Sequence, residues 1–157
     1  MEHSISTEVN SAENAVAFPP VDIVVVAHNP DEWFGDVLNS FAIQDYPDFN
    51  VVVLTTGEES QMRNFVHEYM PQAQIRAVEP DHGYGRNLNS VFALDTNSAF
   101  FLFCHHDVAL APDALRLMVE ESLRSNAGIV GPKIVNWDRP DELLDIGYSV
   151  DKLGFLV

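Results

Sequence analysis

The residues of this chain best suited to chemistry stand together at Cys104-His105-His106-Asp107-Val108, directly after the apolar run Ala99 to Cys104. Polar, metal-capable groups at the end of a buried strand are costly unless they are used. In extended chain, adjacent side chains point to opposite faces. His105 and Asp107 are therefore expected to share a face, with His106 pointing away from them. One imidazole and one carboxylate at that spacing can grip a divalent cation. His106 is a candidate for touching a bound ligand rather than the metal. The plainer alternative makes Asp107 a turn cap and the histidines incidental.

A second constellation is Asp81-His82-Gly83-Tyr84-Gly85-Arg86-Asn87-Leu88-Asn89. Gly83 and Gly85 permit close backbone approach or positive φ. Arg86 stands at a predicted helix start, where a guanidinium and a helix N-terminus together suit phosphate. As a dinucleotide fingerprint the segment fails, because Leu88 occupies the place of the last small residue. The plain alternative is a glycine turn with a surface arginine. A third candidate is Ala27-His28-Asn29-Pro30, where a base or ribose could pack on the backbone or a simple turn could form. His3 and His67 read as surface residues, and His82 has no partner at ligand spacing.

The elements that must position these groups are legible in the apolar spacing. Val21 to Ala27 is a β-branched run that predicts a strand buried on both faces. Trp33, Phe34, Val37, Leu38, Phe41 and Ala42 form one helical face, opened by Asp31 and Glu32. Val51 to Thr55 is a second strand. Met62, Phe65, Val66, Tyr69 and Met70 mark a second helix, stopped by Pro71. Ile75 to Val78 is a short third strand, and a helix carrying Leu88, Val91 and Phe92 follows. Ala99 to Cys104 is the fourth strand. Pro112 and Asp113 open a helix with Leu115, Met118, Val119 and Leu123 on one face. Gly128 to Val135 reads as extended, and Asp145 to Val157 as a strand, a turn at Asp151 to Gly154 and the start of a partner strand.

Strand and helix alternate, so the expected fold is α/β, a mostly parallel sheet with helices on both faces. Such sheets bind ligands at the carboxyl ends of their strands. That selects His28-Asn29, Thr55 to Gly57, Glu79 to Asn87 and His105 to Asp107. Residues 1–18 read as a flexible leader and 19–157 as one domain.

Composition narrows the partners. Twenty-four acidic residues face eight basic ones, a formal charge of −16, so neither nucleic acid nor anionic lipid is expected as a general partner. A phosphate-bearing substrate would need a local source of positive charge. The single cysteine, Cys104, allows no disulfide within the chain and reads as a small core residue. The N-terminus lacks the basic and apolar segments of a secretory signal.

In combination these segments resemble the family 2 glycosyltransferases of GT-A fold. The resemblance runs from about Val21 onward, through VDIVVVAHNP, LNSFAIQDYPDFNVVVL, GYGRNLNSVFAL, FFLFCHHDVALAPDAL and GIVGPKI, in that order. It implies transfer of a sugar from a nucleotide-diphosphate sugar, UDP-linked first of all, to a saccharide or lipid-linked acceptor. It implies that Ala27, His28 and Asn29 line the base and ribose, with Thr55 or Thr56 at the end of the second strand. Arg86 and Asn87 would lie near the phosphates or sugar. Asp107, with His105, would hold Mn²⁺ or Mg²⁺, which would also supply the missing positive charge.

Two departures from the family pattern stand out. His105 replaces the first carboxylate of the usual D-x-D, which favours Mn²⁺ over Mg²⁺. Thr55 or Thr56 replaces the usual base-holding acid, with Glu58 and Glu59 nearby as substitutes. The resemblance also places the general base of an inverting transfer far downstream of Val157. The chain is therefore expected to be an incomplete, donor-binding part that transfers poorly alone. It is expected in the cytoplasm, at the cytoplasmic face of a membrane in the longer protein. A free sheet edge would favour a homodimer. The competing readings are a non-catalytic nucleotide-binding module with a degenerate metal site, a non-haem iron oxygenase and a dinucleotide-dependent oxidoreductase. The predicted helices oppose the oxygenase, and the failed glycine fingerprint opposes the oxidoreductase.

Overall fold

The computed structural model describes residues 18–93, 97–147 and 152–153. Almost all of the expected leader, and most of the expected C-terminal hairpin, lie outside these residues.

β-branched side chains favour extended backbone, and Val21–Ala27 forms strand β1. It pairs in parallel with β2 (Phe49–Thr55) on one edge and with β4 (Phe100–His105) on the other. β2 pairs in turn with β3 (Gln74–Ala77), giving the order β3-β2-β1-β4. The expected parallel sheet is therefore present, with β3 one residue earlier than the spacing suggests.

Both faces are covered. On one, Ile23, Val25, Val51 and Val53 pack against helices α1 (Glu32–Ala42), α2 (Glu59–Tyr69) and α4 (Ala114–Ser125). On the other, Val24, Val52 and Leu54 meet Leu88 and Val91, from α3 (Tyr84–Asn89) and the 3-10 turn Ser90–Ala93. The helix expected to continue through Phe92 thus tightens after Asn89, and Phe92 is exposed.

The helical faces are narrower than their sequence patterns. In α1, Phe34, Val37, Leu38 and Phe41 are buried, whereas Trp33 and Ala42 lie at the margins and are exposed. Asp31 caps this helix, its Oδ1 accepting from the Phe34 N–H at 2.8 Å. In α4, Leu115 and Val119 are buried but Leu123 is exposed. Each step of four residues overshoots a full turn by about 40°, which carries Leu123 off the stripe.

β4 departs from the buried strand expected of its sequence. Only Cys104 is buried, and Phe103 is 39% exposed. Among the described residues β4 pairs with β1 alone, so its outer edge is free. Of the expected extended segment, only Ile134–Val135 forms a strand, β5, antiparallel to β6 (Leu143–Asp145) in a separate small sheet.

The carboxyl ends of β1 and β2 are fastened together. The Thr56 N–H donates to Ala27 O at 3.1 Å. Gly57 then lies so close to β1 that a Cβ there would fall 2.0 Å from His28 O. Gly57→Ala is expected to lower the unfolding free energy by about 1–3 kcal/mol, because the obstacle is backbone. Gly35→Ala would meet only the movable Tyr69 ring and would gain about 1 kcal/mol of helix propensity, for a small net change. Urea unfolding of both variants checks the ranking, and equal losses would refute it.

Candidate functional site

From β1 the chain passes to β2 on one side, while β4 returns on the other. The order therefore reverses between β1 and β4, and the carboxyl ends of those strands flank the crevice where open α/β sheets bind ligands. Val26 is in register with His105, so Ala27 to Asn29 and His106 to Asp107 emerge side by side.

β4 ends at His105. His106 and Asp107 form a turn, with the Val108 N–H donating to His105 O at 3.3 Å. The alternation of an extended chain stops there, which corrects the expectation for His106. It does not point away. One donor atom from each of His105, His106 and Asp107 lies within 4.8 Å of the others. His105 Nδ1 is 3.9 Å from Asp107 Oδ1, and His106 Nε2 is 3.9 Å from Asp31 Oδ2. Two imidazoles and a carboxylate form a donor set that fits Mn²⁺ better than Mg²⁺, which prefers oxygen ligands.

Surrounding groups orient the cluster. Tyr84 stacks on His105, ring centroids 4.6 Å apart and planes 13° apart. Its hydroxyl donates to Cys104 O at 3.4 Å. Burial, and then the neighbouring Cys104, push the Tyr84 phenol above its ordinary pKa. His106 stands edge-on to Phe34, centroids 6.3 Å apart. Beneath the turn, the Cys104 thiol donates towards His105 O at 3.2 Å and Val108 O at 3.4 Å.

The loop that carries Asp107 onward is clasped by the end of α1 and the residues that follow it. The Leu110 N–H donates to Ser40 Oγ at 3.0 Å. Gln44 donates through Nε2 to Ala111 O at 2.8 Å and accepts from the Leu115 N–H at 3.0 Å. Next to it, the Asp45 N–H donates to Pro112 O at 2.9 Å.

The other sequence candidates divide between the surface and the interior. His28 and Asn29 are exposed, and His28 Nδ1 is hydrogen-bonded to Thr56 Oγ1 at 2.9 Å. Arg86 is exposed and, among the described residues, has no carboxylate at ion-pair distance. Ala27 is buried. Thr55 is corrected as a direct ligand contact: it is fully buried, and its hydroxyl accepts from the Gly57 N–H at 3.1 Å. Thr56 is the member of that pair nearer the surface. Asn87 is buried too, and its amide donates to Glu79 O at 3.1 Å, shaping the loop in front of Arg86. Glu58 and Glu59 are engaged locally, with Ser60 and Arg63.

Two residues at the site, Asp31 and Tyr84, escape reasoning from the sequence. Asp31 carried the ordinary signature of a helix cap. Tyr84 sits between the two glycines of its loop, an aromatic placement that could have marked it.

A family profile described as "Glycosyltransferase like family 2" matches residues 19–153. No curated protein matches the sequence. Among solved structures, S. aureus TarS aligns over 68% of this chain and 20% of its own, at 20% identity and a TM-score of 0.58. The mannosyltransferase PcManGT from Pyrobaculum calidifontis, in complex with GDP-Man and Mn²⁺, aligns over 68% of this chain and 33% of its own, at 22% identity and a TM-score of 0.57. TarS 1-349 in complex with UDP-GlcNAc aligns over 68% of this chain and 32% of its own, at 19% identity and a TM-score of 0.54. The chain thus spans a third or less of each of these proteins. No helix among the described residues is long and apolar enough to cross a membrane.

Burial, and then the Asp107 charge, push the Cys104 thiol up from 9.0 to about 12. The folded state therefore holds the proton that the unfolded state releases first. The stabilisation is complete below the unfolded pKa and is lost as pH rises towards the folded one. Unfolding free energy is expected to fall between about pH 9 and 12, at up to about 1.4 kcal/mol per pH unit from this group. Cys104→Ala should remove that part of the slope in chemical unfolding, and an unchanged slope would contradict the assignment.

Proposed function

The chain belongs to glycosyltransferase-like family 2, and on that premise we propose that it is the donor-binding part of an enzyme moving a sugar from a nucleotide-diphosphate sugar, UDP-linked first of all, to an acceptor hydroxyl. The observation that carries this reading is the convergence of His105, His106 and Asp107 at the reversal point of the sheet. The solved relatives in complex with UDP-GlcNAc and with GDP-Man and Mn²⁺ support it at the level of the fold.

In this reading the base and ribose lie against His28 and Asn29, with the buried Ala27 anchoring the strand end that presents them and Thr56 holding the His28 ring. Arg86, unpaired among the described residues, faces the phosphates, and Asn87 holds its loop in shape. Asp107 and His105 hold the divalent cation, with His106 completing the donor set. When bound, that cation supplies charge neutralisation for the departing nucleoside diphosphate. Tyr84 fixes the plane of His105, and the buried Cys104 thiol fixes the turn beneath it. Transfer with inversion also needs a base for the acceptor proton, a role assigned to no residue here. Pairing of two copies along the free edge of β4 belongs to the same proposal.

Titration calorimetry of UDP and GDP, with and without Mn²⁺, tests the reading. Binding should require Mn²⁺. Removing a charged ligand group is worth about 1.5–3 kcal/mol, so Asp107→Ala should weaken nucleotide binding roughly 10- to 150-fold. Nucleotide binding indifferent to Mn²⁺ and to Asp107→Ala would favour a non-catalytic nucleotide-binding module, a reading that His105 in place of a carboxylate supports.

A further inference from the structure

Two contacts from the start of α1 reach the His106 ring. One is apolar: His106 stands edge-on to Phe34, centroids 6.3 Å apart. Phe34 is fully buried and stacks on Phe65, planes 9° apart, so that wall is fixed. The other is polar: Asp31 Oδ2 lies 3.9 Å from His106 Nε2. Asp31 is also the N-cap of α1, and its second oxygen, Oδ1, accepts from the Phe34 N–H at 2.8 Å. That bond restrains the carboxylate, and with it the direction from which Oδ2 faces the imidazole.

Capping alone does not call for a carboxylate here, since Asn and Ser cap helices about as well as Asp. Nor does stability. The Asp31 and His106 side chains are 45% and 32% exposed, and ion pairs open to water add little. What remains is direction. A histidine bound to a metal hands its other ring N–H to a carboxylate or a carbonyl, and that second bond sets the tautomer and the plane of the ring. Such contacts are often long until a site is loaded. Asp31 is not among the three converging donors, so it is placed to act on His106 and not on the cation.

We propose that Asp31 is a positioning residue of the donor site: its free oxygen takes the Nε2–H of His106, which leaves Nδ1 as the nitrogen that faces the cation. This role rests on the donor-site reading above and adds the group that orients one of its three donors. The same carboxylate joins the β1–α1 connection to the turn after β4, so the two strand ends that flank the crevice are held at one spacing.

The probe is Mn²⁺ alone, titrated into the 157-residue chain and followed by the electron paramagnetic resonance of the free ion. Asp31→Asn keeps the cap and the size of the side chain, so the urea midpoint should stay where it is. Its Mn²⁺ affinity should fall roughly 10- to 100-fold, the usual cost of losing such a partner. Glu32→Gln removes the same charge one residue along and should change the affinity by less than about twofold, because exposed charges are screened. On a His106→Ala background, Asp31→Asn should cost nothing further. With Zn²⁺ as a diamagnetic probe, the long-range ¹H–¹⁵N spectrum of the histidine rings should show His106 ligated through Nδ1 with its proton on Nε2. Asp31→Asn should weaken that preference.

Equal losses in Asp31→Asn and Glu32→Gln would overturn the proposal, leaving only an effect of charge. So would an undiminished loss on the His106→Ala background, or Zn²⁺ seated on Nε2. No Mn²⁺ capture by the unsubstituted chain would defeat the donor-site reading, and the role of Asp31 with it. Capture that survives Asp31→Asn in full would defeat the positioning role alone.

Discussion

Every group at the candidate site depends on β1 being hydrogen-bonded along both edges. A parallel strand in that position has no slack. Its residues are fixed against β2 on one side and β4 on the other, from Val21 to Val26. The β1–β4 register sets Val26 opposite His105, and that single match brings the ends of two distant segments to one place. A slip of one residue would turn each side chain to the opposite face. It would also carry Asp22 into the place of Val21 or Ile23, setting a carboxylate in the main apolar core.

Regularity of the sheet ends at the site, and polar bonds take over. The turn after β4 has no ladder to hold it. It is held by the Cys104 thiol from below, by Tyr84 against His105, and by Ser40 and Gln44 along the following loop. Each such bond adds only about 1 kcal/mol net, but a buried donor left without its partner costs more than the bond is worth. The charge distribution follows a related logic. In a chain of formal charge −16, Arg63, Arg116, Arg124 and Arg139 are each neutralised by a neighbouring carboxylate. Among the described residues Arg86 has no such partner, as is also true of Arg76 and Lys133, and in the proposed reading its guanidinium is left for the phosphates.

The sheet was legible because its strands are written in β-branched residues and its helices in three-and-four spacing. Both are local periodicities. What the sequence did not disclose depended on where a periodicity stops. Extended geometry carried one residue too far puts His106 on the wrong side. Thr55 and Thr56 are adjacent and alike, and only the pleat decides which one is buried. Leu123 and Trp33 fit an ideal stripe but lie at its margins, where the sheet offers nothing to cover them. Asp31 declared its capping bond through its position, while its approach to His106 joins residues 75 positions apart and leaves no local trace.

The edge-on meeting of Trp33 and Trp137 carries a practical consequence. These are the only two tryptophans in the chain, one on α1 and the other between β5 and β6. Two indoles this close couple their electronic transitions, and both are half in water. The indole bands of the near-ultraviolet spectrum and the tryptophan emission colour therefore originate at one spot. A spectroscopist watching this molecule sees the relative position of α1 and the β5–β6 segment, with no label introduced.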